Sequence, residues 1–103
     1  MSWNYRVIRF DEAGEPIYQI HECHYSRKGE TIPTQWTEEP AHLISETRNG
    51  LLWSLSMMAE AVSHPVLEIH DGRLREVEPQ REFGDELKRI LEQAKTIGTD
   101  DHA

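Results

Sequence analysis

LLWSLSMMAEAVSHPVLEI, residues 51–69, holds the pattern from which the fold follows. Leu51, Leu55, Met58 and Val62 recur at the 4-3-4 spacing of one helical face, and Leu52 and the small Ala59 widen it. Trp53 and Met57, one turn apart, form a second, smaller apolar patch. His64-Pro65 then stops the helix, because proline has no amide hydrogen and turns the residue before it toward extended backbone. Val66-Leu67-Glu68-Ile69 follows as a short strand. Burying Leu51, Leu52, Leu55, Met58 and Val62 against a sheet would contribute on the order of 10 kcal/mol before chain entropy is subtracted.

Upstream, Ser45 or Thr47 can cap this helix, although neither completes a capping box, since Arg48 and Gly50 lie three residues on. Gly50 in the first turn costs about 1 kcal/mol relative to Ala, so packing must hold the helix together. Earlier still come three β-type runs: Tyr5 to Phe10, Pro16 to Tyr25 and Glu30 to Thr37. Turns at Asp11–Glu15 and Ser26–Gly29 separate them, and loops this short favour antiparallel neighbours. Pro33 cannot donate to a ladder, which assigns the third run to a sheet edge.

Order then dictates topology. After a meander, the helix crosses the sheet, and the strand that follows lies parallel to the first through a right-handed crossover. The expected fold is α+β, β-β-β-α-β, a three-stranded antiparallel meander plus a fourth strand in the order 3-2-1-4, packed on one amphipathic helix. Asp71-Gly72 is a turn, and Leu74 and Val77 either extend a hairpin or belong to a linker. Pro79 opens a C-terminal helix with Phe83, Leu87, Ile90, Leu91 and Ala94 on one side, frayed from about Thr96. The division is therefore 1–78 for the β-β-β-α-β domain, 79–96 for the helix and 97–103 for a flexible tail.

Composition narrows function by exclusion. The 103 residues carry a net charge of −8, with five basic and eight acidic residues up to Gly50 and six and eleven afterwards. A nucleic-acid binder needs cations to displace phosphate counterions, and no basic stripe exists, so direct nucleic-acid binding is not expected. The acidic surface suits a basic protein partner. A single cysteine, Cys23, precludes an intrachain disulfide and fits a reducing compartment. No run approaches the roughly 20 apolar residues that span a bilayer, and no signal-peptide core opens the chain, so a cytoplasmic location is expected. With 37% hydrophobic and 29% charged residues the chain is that of a folded domain with a thin core, which an oligomer would relieve.

The segments WNYRVIRF (3–10), PIYQIHE (16–22), QWTEEP (35–40) and HPVLE (64–68) resemble a group of short bacterial proteins with the HicB-like antitoxin layout, a partial RNase H arrangement. The resemblance runs from Trp3 to Glu68. It implies the same fold and an antitoxin-like role, binding a small basic toxin. The chain departs from that pattern at Thr47-Arg48-Asn49-Gly50, where the relatives have an acid-rich helix start, and has no basic helix-turn-helix that would suit a repressor.

Motifs for chemistry are sparse. A nuclease of RNase H type needs several carboxylates around Mg²⁺, and Asp11, Glu60 and Glu68 do not converge in this layout. Ile20-His21-Glu22-Cys23-His24-Tyr25 is richest in ligand types. On a strand His21 and Cys23 share one face, with Glu22 and His24 on the other, which makes His21 and Cys23 the candidates for a metal site or for a hydrolase. A structural zinc site needs four ligands, and a Cys–His pair roughly 7 Å apart is too wide for direct proton transfer. No catalytic residue and no cofactor is assigned. Trp36, Glu38, Glu39 and Tyr25 are the candidates for an interaction surface. Strands one and two are apolar on both sides, so both faces need cover, from the C-terminal helix, a second copy of the chain or both. The reading is a non-enzymatic interaction module, a homodimer that binds a basic protein.

Overall fold

The computed structural model describes residues 2–100, and the side chains of residues 2–90, 92 and 93. Five strands and two helices follow in order: β1 Ser2–Glu12, β2 Glu15–Tyr25, β3 Gln35–Trp36, α1 Arg48–Ser63, β4 Val66–His70, β5 Arg73–Glu78 and α2 Gly84–Asp100. They form one mixed sheet in the order β3-β2-β1-β4-β5. β1 and β2 pair along their whole length, from Ser2 with Tyr25 to Glu12 with Glu15, and β4 lies parallel to β1 with Ile8 opposite Leu67. The expected 3-2-1-4 order holds, and β5 extends it by pairing antiparallel to β4. The residues between His70 and Pro79 are thus a true hairpin.

Both long hairpins close on two residues of positive φ, Ala13 and Gly14 (53° and 83°) and Asp71 and Gly72 (52° and 76°). This left-handed pair matches the twist of the strands it joins. Asp-Gly suits it, whereas Ala13 holds that conformation against its own Cβ.

Four expectations need correction. The third strand is two residues long rather than Glu30 to Thr37. Pro33 is buried and outside the ladder, and irregular backbone bonds from Thr34 to His24, Thr37 to Glu22 and Ala41 to Ile20 continue along the β2 edge. Opposite the two-residue step from Glu22 to Ile20, the chain takes four residues from Thr37 to Ala41, so Glu38 and Glu39 loop outward. The C-terminal helix begins at Gly84 rather than Pro79, because residues 79–83 are used to tie back to α1, with the Arg81 amide donating to the Ser63 carbonyl at 3.0 Å. Its backbone is helical through Asp100, so the first part of the expected tail is helix; the rest, 101–103, lies outside the described residues, as do the side chains of Leu91 and Ala94.

The third correction concerns the face that α1 buries. Met58 and Ala61 are buried and Ser54 and Met57 half-buried, while Leu51, Leu52, Leu55 and Val62 are 39, 65, 49 and 43% exposed. The helix is rotated by roughly a quarter turn from the face its leucines define, at about 100° per residue. Small Ala61 and unbranched Met57 and Met58 let it lie close on the strands, where a row of leucines would hold it away.

Strand pairing assigns the two sheet faces. Arg6, Ile8, Phe10, His21, Cys23, Trp36, Leu67 and Leu74 lie on one face, and Ile8, Cys23 and Leu67 there are completely buried, with Phe10 and Trp36 packed on them. Tyr5, Val7, Arg9, Tyr18, Ile20, Val66 and Glu68 lie on the other. On that second face Val62 of α1 and Phe83, just ahead of α2, join Val7, Ile20 and Val66 around one small cavity. The C-terminal helix therefore sits on the same side as α1 and does not cover the opposite face, as one expectation had it. The first face is closed instead by its own bulky side chains and by the segment after β2, which the Arg6 side chain holds down.

Candidate functional site

His21 and Cys23 do share a face, as expected of alternating strand residues, but neither is offered to a ligand. The His21 ring is 1% exposed. Its Nδ1 lies 2.8 Å from the Thr37 carbonyl, to which it donates, and its Nε2 lies 3.0 Å from the Gln19 side-chain amide. Both ring nitrogens are engaged inside the protein, so the imidazole ties the irregular edge segment to β2. Cys23 is fully buried, and its thiol donates to the His21 carbonyl at 3.7 Å. Burial pushes that thiol up to about 11, against the opposing pull of the Arg6 charge. A thiol so disposed is neither a nucleophile nor a ready metal ligand at neutral pH. On the opposite face His24 Nε2 lies 3.3 Å from Glu22 Oε1. Among the described residues no three His, Cys, Asp or Glu side chains gather as a metal site would require.

The interaction candidates divide likewise. Tyr25 is buried at 7% exposure, so it belongs to the core rather than to an exposed contact surface. Its hydroxyl accepts from Arg6 and donates to Asn4 Oδ1, each at 2.9 Å. Trp36 is half-buried against the cluster of Ile8 and Cys23. Glu38 and Glu39 stand exposed on the outward bulge beside β3.

Arg6 lies in the middle of β1, and no motif around it marks it. In the structure it is 3% exposed, and its guanidinium donates to the Tyr25 hydroxyl, to the Thr31 carbonyl (3.0 Å) and to the Pro65 carbonyl (3.0 Å). It therefore fastens β1 to β2, to the segment after β2 and to the joint between α1 and β4. Its Nε is buried without an acceptor. A cleft of about 620 Å³ opens beside it, walled also by Asn4, Thr31, His64, Glu30 and Glu76. Two carboxylates at the wall oppose an anionic ligand, and the donors of Arg6 that face neighbours are spent on them. The residue acts as a rivet.

What remains unsatisfied is apolar. The outer side of α1 exposes Leu51, Leu52, Leu55 and Val62, with Trp53 at 54% on the adjoining side. Thr47 caps the helix, its side chain accepting from the Gly50 amide at 3.0 Å. A Cβ at Gly50 would meet the Ser45 hydroxyl, so a larger residue there would require that side chain to turn aside. At its other end α1 meets the start of α2 in a groove of about 470 Å³ walled mainly by Ala59, Val62, Phe83, Leu87 and Ile90. The groove is built by residues 79–83: besides the Arg81 backbone bond, the Arg81 guanidinium lies 4.7 Å from the Phe83 ring centre and pairs with Glu86 at 2.7 Å. The sequence carried a signal for this surface. Between Asn49 and Ala59 the helix has no charged residue, and its apolar side chains span more of its circumference than one sheet face can bury.

No protein-family model, no curated protein and no solved structure matches the chain.

Proposed function

We propose that the chain is a small protein-interaction module with no catalytic chemistry of its own, an antitoxin-like binder of a basic protein. The observation that carries this reading is the outer side of α1, where Leu51, Leu52 and Leu55 are 39, 65 and 49% exposed on an uncharged stretch of helix. Contiguous apolar surface of that kind marks association. The charge of −8 selects the chemistry of the partner, and Glu38 and Glu39, looped out beside the free β3 edge, offer it a local anchor. Opposite fields would speed the encounter and make it sensitive to salt. The single buried thiol fits a reducing, cytoplasmic setting, and no helix among the described residues is long and apolar enough to cross a membrane.

Capture on the immobilised chain at low salt, followed by co-expression with the small basic protein retained, tests the reading. Stoichiometric co-elution is expected, with Kd rising steeply with salt and about tenfold further in the Glu38→Lys/Glu39→Lys variant, equivalent to roughly 1.4 kcal/mol. Separate elution at low salt, or binding indifferent to both salt and the double charge reversal, overturns it.

A further inference from the structure

The outer side of α1 and the groove between α1 and α2 are the two halves of one self-complementary surface. We propose that a second copy of this chain covers it about a two-fold axis, with α1 packed antiparallel to its mate. The inference rests on the reading of the chain as an interaction module and names the surface by which it meets itself, leaving Glu38 and Glu39 beside β3 as the contact for the basic partner.

Shape is the first argument. Leu51, Leu52 and Leu55 project near the start of the helix, and the apolar groove of Ala59, Val62, Phe83, Leu87 and Ile90 lies near its end. An antiparallel pairing centred on Leu55 sets Leu51 of one copy against Ala59 of the other, four residues to either side of the centre. Arg48 falls beside Val62 in the same way, seven residues to either side. The leucines of each copy then enter the groove of its mate, and the small Ala59 lets the helix backbones approach. A two-fold interface requires this reciprocity, because each copy must supply both knob and hole.

Charge agrees with shape. Arg48, at the leucine end, makes no ion pair among the described residues. The groove end carries Glu60, Glu82 and Glu86 at its rim; Glu86 is paired with Arg81 and Glu60 lies 3.9 Å from His64, so Glu82 is the rim carboxylate without an ion pair among the described residues. Antiparallel packing delivers each Arg48 to the acidic rim of the other copy. A parallel arrangement would set Arg48 against Arg48 and rim against rim.

Area is the third argument. Leu51, Leu52, Leu55 and Val62 are 39, 65, 49 and 43% exposed and form one apolar stretch with the groove beside them, which a partner helix would cover as a small interface of roughly a few hundred Å² per chain. The chain also needs such burial. Only nine hydrophobic residues are buried among those described, and with one cysteine there is no intrachain disulfide to reinforce them.

The full chain is tested by sedimentation equilibrium and by cross-linking. The mass expected is twice 12.0 kDa. Leu52→Asp/Leu55→Asp should weaken self-association by about a hundredfold or more while leaving the far-ultraviolet circular dichroism unchanged. Arg48→Glu should weaken it, and Arg48→Glu with Glu82→Lys should restore it, a rescue that a merely structural role would not produce. Mixing Leu51→Cys chains with Ala59→Cys chains under oxidation should give the 51–59 cross-link in preference to 51–51, a readout that stands even where the aspartate variant fails to fold. A monomeric wild-type mass at high concentration overturns the proposal, as does a dimer untouched by the aspartates or a dominant 51–51 link. If a monomeric chain still co-elutes with the basic protein, only the self-association is lost; if the dimer forms and no basic protein binds, only the antitoxin-like reading is lost.

Discussion

His21 and Cys23 illustrate how a strand can collect reactive residue types for wholly architectural ends. Alternation along β2 turns both side chains to the buried face, and burial then decides their chemistry. The imidazole needs two partners once water is gone, and the Thr37 carbonyl and the Gln19 amide supply them. The thiol needs fewer, and low polarity keeps it protonated. With its folded value raised to about 11, the thiol contributes stability that is complete below its unfolded value and is lost as pH rises toward 11. Cys23 is therefore expected to react with a chromogenic disulfide reagent at pH 8 at least about a hundredfold more slowly in the folded chain than in urea. Comparable rates in the two states would show that the thiol is open to solvent. Arg6 belongs to the same set. A guanidinium reaches three separate segments where no apolar side chain could satisfy the Thr31 and Pro65 carbonyls, and it accepts burial in exchange.

Within the elements, the turns and the helix are governed by different constraints. The β1–β2 turn requires left-handed backbone at two successive positions, which is set by strand twist and not by the identity of the residues. Gly14 meets the requirement without strain, and Ala13 does so at a cost of about 1 kcal/mol. Replacing Ala13 by Asn, which tolerates this conformation, should raise stability by about that amount, seen as a higher urea midpoint at constant m-value. An unchanged or lower midpoint would show that the turn carries no such strain. For α1 the governing constraint is close approach. The helix meets the sheet through Ala61 and Met58, with Ser54 and Met57 alongside, and leaves its leucines outward. Its apolar period was plain in the sequence, but the period cannot say which of two apolar sides faces the strands when both are present.

At the level of the entire chain, the second sheet face combines apolar packing under α1 with a ladder of charges beyond it. Arg9 lies 3.1 Å from Glu78 and 3.5 Å from Glu68, Tyr18 donates to Glu78 at 2.6 Å, and Arg75 donates to Glu68 at 2.7 Å. This links four strands through side chains. The Arg75 hydrogen bond, ahead of the Arg9 charge, holds the Glu68 carboxyl below its ordinary value in spite of desolvation. A depressed carboxyl contributes stability that is present above the unfolded carboxylate range and is lost as pH falls through the folded value. Urea midpoints should hold steady near neutrality and fall below about pH 4, and Glu68→Gln should lower the neutral midpoint and flatten that acid limb. An acid limb as steep as the wild type's would remove Glu68 from the account. The radius of gyration, 15.8 Å against about 13 Å for a compact chain of this length, belongs to an elongated body with extents of 51 × 35 × 25 Å.

Local chemistry along the chain was enough to establish the strand order 3-2-1-4, a helix capped at Ser45 or Thr47 and stopped at His64-Pro65, and the edge position of the third strand. Turn residues, a proline that cannot join a ladder and a helical apolar period each act within a few residues of where they are read. The fifth strand stayed ambiguous at Leu74 and Val77 because a short hairpin and a linker look alike until a neighbour such as β4 pairs with them. The rotation of α1, the burial of Arg6 and Tyr25, the engagement of His21 and the placing of α2 beside α1 were decided only in three dimensions. Each depends on contacts between residues far apart in the chain, and on which surfaces can come closest while leaving no buried polar group without a partner; no local pattern encodes that competition.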